Sequence, residues 1–545
     1  MKSTKRFFMS ALLLTVSALI MRSISVSFGA YVSKTAGAEA MGVFSLIMSV
    51  FGFALTIATS GINLAATRMV SEALGTGDQG LVYKSMKKCV AYCLAFSFFS
   101  GATLFLFSRI IGVMILGDDR TVFPLKILAV SLPFISLTSA FSGYFTAVRR
   151  VYKSTIYSVL EQLIKIFFTV KMFEIFIHRG VEYACISLVV ADAISELSAF
   201  SMSAVMYLHD RRKHVVRTQT TVSDNEVSKK LYSISLPVAI STYLRSGLLT
   251  IEHILIPKCL IKSGLLREVA LSSYGMLHSM AMPVILFPTA ILSSFAGLLI
   301  PELAEAKIKR KKAAIQNVAE LAFRYSLLFS FAISGLLICF SGELGILVYN
   351  SQEVSRYIRL IAPLVPIMYL DSVTDAMLKG LGEQVYSMNV NIIDALISII
   401  LVMALLPKFG ISGYIATLYI TEMLNATLSI LKLLHSSSMR PRIYKWCIAP
   451  VISIIGAVAS VKLFFGIIPN SFGMLFDTIV GCIIVIILYM TLIKTTGALT
   501  KRDRLWLLYA LGVKRCLANR CDRPTNAPKR LEQPGKERLR SIQKC

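Results

Sequence analysis

The motifs around which soluble enzymes build their chemistry are missing from this chain. There is no phosphate-binding glycine loop ending in Lys-Ser/Thr, no His-Glu-x-x-His and no Gly-x-Ser-x-Gly. The six histidines do not cluster, and the ten cysteines lack metal-ligand spacing. Most of those cysteines lie inside apolar runs as small hydrophobes, while Cys516 and Cys521 sit in a basic tail without histidine partners. No disulfide framework, metal centre or bound cofactor is expected. Charge is also scarce: only 16% of residues are charged against 55% hydrophobic, and the mean hydropathy is +0.69. No soluble domain of 545 residues has that balance. The polar loops are too short to build a catalytic cleft, so an enzyme is not expected.

What the chain does have is a series of long apolar runs. They are too continuous for barrel strands, which alternate over about ten residues. They specify an all-α polytopic membrane protein with about fourteen transmembrane helices, since about 20 apolar residues cross a bilayer core. Six spans come first, near 7–31, 41–66, 89–115, 122–148, 154–177 and 183–208. Six more lie near 231–257, 274–300, 318–340, 357–380, 386–406 and 412–435, and two near 444–468 and 472–494. The domain reading is an N-lobe over 1–208, a basic linker over 209–230, a C-lobe over 231–435, two additional spans over 436–494, and a basic tail over 495–545 with an interfacial helix near Lys501 to Arg515.

The net charge of +27 follows membrane orientation rather than nucleic-acid binding. Arg149-Arg150, Arg211-Arg212-Lys213 and Lys309-Arg310-Lys311-Lys312 fall on the side of the N-terminus. With an even number of spans, that places both termini in the cytoplasm. Lys2, Lys5 and Arg6 precede an apolar run that continues to Tyr31, which reads as an uncleaved first span rather than a signal peptide.

The two groups of six spans repeat. A shift of about 233 positions brings Pro133 onto Pro366, Ser139 onto Ser372, Glu161 onto Asp394, Asp192 onto Asn425 and Gly180 onto Gly413. Met21-Arg22-Ser23 echoes Leu244-Arg245-Ser246 at a shift nearer 223, so the second repeat holds about ten extra residues, placed near Lys258 to Val269. An even-numbered unit repeats in the same orientation, with its axis along the membrane normal.

Ionisable residues inside spans are expensive and mark function. Arg22 and Arg245 lead the substrate-binding candidates, against the blander reading of structural arginines bonded to neighbouring carbonyls. Arg68 ends the second span, where an arginine can snorkel to the headgroups, and Lys379 ends a ladder with Asp371 and Asp375. Candidates for binding a coupling proton or sodium ion are Glu252, Asp375, Asp192, Asp371 and Glu196. Glu252 shares a helix face with Arg245 and could pair with it, and Glu161 stands four residues before Lys165. Pro133, Pro237 and Pro366 are hinge candidates, because proline removes a helix hydrogen bond.

The segments Ala38-Glu39-Ala40-Met41-Gly42-Val43-Phe44-Ser45-Leu46, Ser60-Gly61-Ile62, Thr67-Arg68-Met69-Val70-Ser71-Glu72, Tyr274-Gly275-Met276-Leu277-His278, Gly297 to Glu302 and Leu378 to Gln384 carry a resemblance. The chain resembles the stage V sporulation protein B branch of the polysaccharide flippases, in the multidrug/oligosaccharidyl-lipid/polysaccharide exporter superfamily, over roughly residues 1–490. The resemblance implies two six-helix lobes forming a V that opens alternately to either side. It implies cavity arginines that hold the pyrophosphate of an undecaprenyl-linked sugar, and two extra C-terminal helices that form a groove for the lipid tail. The expected function is flipping of such a sugar, a peptidoglycan precursor or polysaccharide unit, by a monomer driven by a proton, sodium or the membrane potential. The roles this leaves open are sporulation, vegetative wall synthesis and capsule export. The rivals are a cation-coupled multidrug exporter, which would want an acidic or aromatic cavity, and a non-transporting scaffold for envelope assembly, in which charges inside spans would be mutually paired.

Overall fold

The structure is a computed structural model that describes residues 2–214, 222–439, 442–467 and 473–497. The expected interfacial helix, most of the basic tail and part of the basic linker lie outside the described residues.

Helices follow one another with short turns, and there is no strand among the described residues. The first half runs α1 (Lys2–Thr59), α2 (Ile62–Gly75), α3 (Gln79–Arg109), α4 (Val122–Ala147), α5 (Val151–Phe176) and α6 (Val181–His214). The second half runs α7 (Asp224–Lys262), α8 (Arg267–Gly275), a π-turn over Met276–Ala281, α9 (Met282–Leu286), α10 (Thr289–Ile308), α11 (Lys312–Cys339), α12 (Ser341–Tyr349), α13 (Gln352–Ile361), α14 (Val365–Gly380) and α15 (Gln384–Ser437). Two more helices, α16 (Ala449–Ile467) and α17 (Met474–Thr495), follow.

Among the described residues, twelve helical runs are long and apolar enough to cross a membrane. A straight helix of 58 residues would be about 87 Å long, nearly three bilayer cores. α1 avoids this by turning back at Gly37 (φ 86°), and α15 does the same at Gly410 (φ 58°). Each therefore supplies two spans. α8 to α10 make one span, broken at Phe287-Pro288. α5 is a further span, with Glu161 and Lys165 near its middle. The total is the fourteen the hydropathy predicted.

The repeat is visible in the backbone. Left-handed residues punctuate both halves at the same offset: Gly77 and Arg310, Gly117 and Asn350, Arg149 and Gly382. The helix that follows each of the middle pair is also capped alike, since Asp118 and Ser351 both accept backbone N–H bonds through their side chains. Gly37 and Gly264 match at a shift of about 227, so the extra residues of the second half are divided on both sides of Gly264. One expected match fails. Gly180 (φ 108°) falls on Gly413 in the ungapped alignment, but Gly413 is helical and the chain reverses at Gly410 instead.

Hydroxyls bind the helices together where water is absent. Ser100 donates to the Ala54 carbonyl at 2.6 Å, Ser136 to Ala58 at 2.8 Å and Ser334 to Ala362 at 2.8 Å. Such bonds substitute for the hydrophobic drive that lipid does not provide between helices. α16 and α17 lie against α11, and Trp446 of the turn before α16 packs at a tilt on Phe323. Of the expected hinges, Pro133 and Pro237 stay inside the continuous helices α4 and α7, while Pro366 opens α14 behind the short 3-10 turn Ala362–Leu364. A proline within a membrane helix is tolerated when neighbouring groups re-satisfy the freed carbonyl. The larger departures are the break at Pro288 and the π-turns over Ile110–Leu116, Met276–Ala281 and Tyr444–Ile448.

Candidate functional site

The halves close on each other at the face opposite the N-terminus, called here the far face. α1 beyond Gly37 packs on α8 without room for side chains. A Cβ added to Gly42 would stand 2.0 Å from the Leu271 carbonyl, and one on Gly275 would stand 2.4 Å from that of Ala38. Ser45 and Ser279 hydrogen-bond across the contact. Beside them Asp118 joins Arg120 at 2.8 Å and Arg267 of the second half at 3.1 Å, and Arg120 reaches Glu39 at 2.9 Å. Burial raises the Asp118 carboxyl, but the Arg120 and Arg267 guanidiniums outweigh it and hold the group below the usual carboxylate range. Farther down, Thr250 donates to the Ser49 carbonyl, Thr56 bonds Ser246, and Ser60 bonds Tyr243, so α7 is stitched to α1 over several turns.

The charged candidates divide between the halves. Arg22 is half-buried on the first limb of α1, within electrostatic range of Tyr369 on α14. Arg245 is exposed on α7, within range of Asp371 on α14 and Asp394 on α15. Neither arginine makes an ion pair among the described residues. Arg68 is different: it is 63% exposed and bound to Glu72, which also binds Lys230. It belongs to an ion-pair cluster at the N-terminal face. Lys379 bonds Asp375 at 2.5 Å, and Asp375 also accepts from Ser387. The ladder is thus paired at one end, while Asp371 lies at the other, beside Asp394 and Glu422.

Two expected partnerships are corrected. Glu252 is not bonded to Arg245; it is buried and accepts from Ser398 of α15 at 2.7 Å. Lys165 is not bonded to Glu161 one turn away; it crosses from α5 to Asp192 on α6, with Glu161 and Glu196 close by. Asp394 and Glu422 were not among the residues singled out as ion-binding, although the repeat had placed Asp394 opposite Glu161.

A lipid-facing groove of about 420 Å³ lies between α10, α11 and α17. Ile291, Phe295, Leu328, Phe329, Ile486 and Met490 line it, and the Tyr489 hydroxyl is turned away to donate to the Leu328 carbonyl at 2.8 Å. It is a surface for hydrocarbon.

Comparison with known proteins agrees with this geometry. The model of the polysaccharide biosynthesis protein family matches residues 8–307, more than half of the chain. The chain belongs to that family. A second model, MatE, matches residues 260–403. Stage V sporulation protein B of Bacillus subtilis (strain 168) is 25% identical over 428 residues, covering 77% of this chain and 82% of that protein. The solved lipid II flippase MurJ in an inward closed conformation superposes with a TM-score of 0.66 at 13% identity, covering 88% of this chain and 98% of that one. An inward-facing multidrug resistance MATE transporter of the MOP superfamily gives 0.62 at 16% identity, covering 78% and 98%. The chain is therefore a multi-pass membrane protein of the polysaccharide biosynthesis family, with the fold shared by these two solved transporters. Both of these solved structures are described as inward conformations.

Proposed function

We propose that the protein moves an undecaprenyl-pyrophosphate-linked sugar, a peptidoglycan precursor or polysaccharide unit, from the inner to the outer leaflet of a bacterial plasma membrane. Both termini are cytoplasmic in this reading, and the monomer is the transport unit. The observation that carries it is the pair Arg22 and Arg245. Each is an arginine deep in the first span of its half, and neither has an ion-pair partner among the described residues. A lone arginine at that depth costs roughly 2.5–3.5 kcal/mol on insertion scales and is kept where an anion comes to it. A guanidinium grips two phosphate oxygens at once, and so replaces the hydration that a pyrophosphate loses on leaving water. The groove between α10, α11 and α17 suits an isoprenoid tail, which stays in hydrocarbon while the head crosses.

Rocking of the halves, with the far-face contacts broken and remade, is the conformational step. Its coupling group is sought among Glu252, Asp371, Asp375, Asp192 and Glu196, with Asp394 and Glu422 beside them. Lys379 and Arg68 serve as secondary cations for the arriving head. The test is translocation of a labelled lipid-linked precursor in vesicles. Arg22→Ala and Arg245→Ala should each slow flipping about 10- to 100-fold, the worth of a charge-assisted hydrogen bond of 1.5–3 kcal/mol. Lysine should restore part of it, because it keeps the charge and loses the fork. Unchanged rates in the well-folded double alanine variant would end the proposal.

A further inference from the structure

Two of the six histidines, which share no motif in the sequence, meet inside the second half. The rings of His253 on α7 and His278 in the π-turn stand 4.8 Å apart, centroid to centroid, nearly edge to face. Each ring holds one tyrosine. His253 Nδ1 lies 3.0 Å from the Tyr274 hydroxyl of α8, and His278 Nε2 lies 2.9 Å from the Tyr414 hydroxyl of α15. Both tyrosines are buried, and neither phenol makes another hydrogen bond among the described residues. A buried O–H without an acceptor is costly, so each phenol donates to its ring. That fixes the tautomers, with the ring protons on Nε2 of His253 and Nδ1 of His278. Those two nitrogens have no partner among the described residues, and neither is sealed from solvent.

The pair sits directly behind the far-face seam. Tyr274 precedes Gly275, and His278 precedes Ser279, which bonds Ser45 of the first half. Pro283 offers no N–H to the Ser279 carbonyl, and the Met282 N–H falls back to Leu277, which makes the turn a π-turn. Such turns recur at functional sites.

A further proton on either ring has to enter at the nitrogen that faces the tyrosine, because the other nitrogen already carries one. The phenol must then accept, and its own proton loses its place. The closed seam offers that proton nothing. Glu252 is in electrostatic range of both phenols but bonds Ser398 and neither of them. Asp394 and Glu422 of α15 lie around Glu252 and Tyr414, and Tyr357 of α13 lies against Ser273. The second limb of α1 carries one charged residue, Glu39, which is held by Arg120, and α9 carries none.

We propose that His253 and His278 form a binding site for one proton, and that taking it up releases the far-face seam. With the seam open, water reaches the pair and accepts the displaced phenol proton. Two imidazolium rings this close repel, so the site takes one proton rather than two. No third metal-ligating side chain joins the pair among the described residues, so a proton fits it and a transition metal does not. The inference goes beyond the cargo reading, since it needs neither Arg22 nor Arg245.

The test reads the seam and not transport. Spin labels on noncanonical residues replace Glu182 and Gln352, which are exposed on the two halves at the far face. Pulsed electron resonance on the purified full chain in detergent then gives their separation at pH 7.5 and at pH 5.5, on either side of the imidazole range. One proton bound only in the open form, by an imidazole of ordinary affinity (about 6.5), should raise the ratio of long to short separations about tenfold. In His253→Gln with His278→Gln the rise should fall below twofold. Should that variant not fold, Tyr274→Phe with Tyr414→Phe decides. Without the phenol protons an imidazolium displaces nothing, and the rise should again fall below twofold. A rise under threefold in the wild type overturns the proposal. So does a rise above twofold in the deciding variant, which would put the proton on another group, Glu252 first.

Discussion

In the first half, Lys165 crosses from α5 to Asp192 on α6, with Glu161 and Glu196 beside the pair. In the second half the residue 233 positions later is Ser398, and it bonds Glu252, while Asp371, Asp394 and Glu422 lie in electrostatic range of one another. Glu161 and Asp394 are repeat partners, so an acid persists in both halves while its cation does not. The first half carries its own ammonium. The second has Arg245 within reach of its acids but bonded to none of them. A half in which an internal lysine closes one carboxylate of the group has less need of an external cation. A half with a serine at that place keeps the need, and this makes the second half the side where a coupling ion is to be sought.

The strongest way to break the comparison is Lys165→Met. It keeps the length of the side chain and leaves Asp192, Glu161 and Glu196 without their cation. Removing one member of a mostly buried ion pair costs about 3–5 kcal/mol. A fall of that size in unfolding free energy of the purified protein is expected, recovered by adding Asp192→Asn. A loss under about 1 kcal/mol would show that the lysine is a surface ion and that the halves do not differ in this way.

Ser398→Lys sharpens the same contrast from the other side. It places an ammonium beside Glu252 at the position Lys165 holds in the first half. The expected outcome is a folded protein whose transport no longer responds to the sodium or proton gradient. An unaltered ion dependence would move the coupling site away from Glu252.

The spans and the repeat were legible because they depend on local composition and on internal symmetry. The partners were not. Spacing on α5 offered Glu161 to Lys165, four residues away, but α6 packs against α5 and brings Asp192 closer in space than helix geometry could reveal. In the same way the i, i+7 spacing of Arg245 and Glu252 said nothing of Ser398 arriving from α15. Prolines mark some of the irregular turns and not others. Pro133 and Pro237 lie inside continuous helices, while the irregular turns of α8 to α10 centre on a π-turn that hydropathy cannot register. The closed seam at Gly42 and Gly275 was present only as two glycines inside family-like segments, with nothing to say that they face each other.

The smallest effect expected concerns the far-face ion pairs, where the halves touch rather than differ. Asp118 is buried, but Arg267 is 42% exposed and partly screened by solvent. Asp118→Asn should therefore remove about 1 kcal/mol of stability, less than the loss at Lys165. Asparagine still caps the turn before Arg120, so the change isolates the charge. The pH dependence carries the test. The Asp118 carboxyl lies below its usual value in the folded protein, so its contribution is fully present above the unfolded value of about 3.9. It is lost as the pH falls through the folded value. Thermal unfolding of wild type and variant should then differ at pH 7, differ equally at pH 5, and converge as the pH falls below the unfolded value and through the lowered folded one. A difference that persists unchanged into that acid range would mean that Asp118 acts through its shape and hydrogen bonds rather than through its charge. The latch between the halves would then rest on the glycine contact and on hydrogen bonds such as Ser45 to Ser279 rather than on charge.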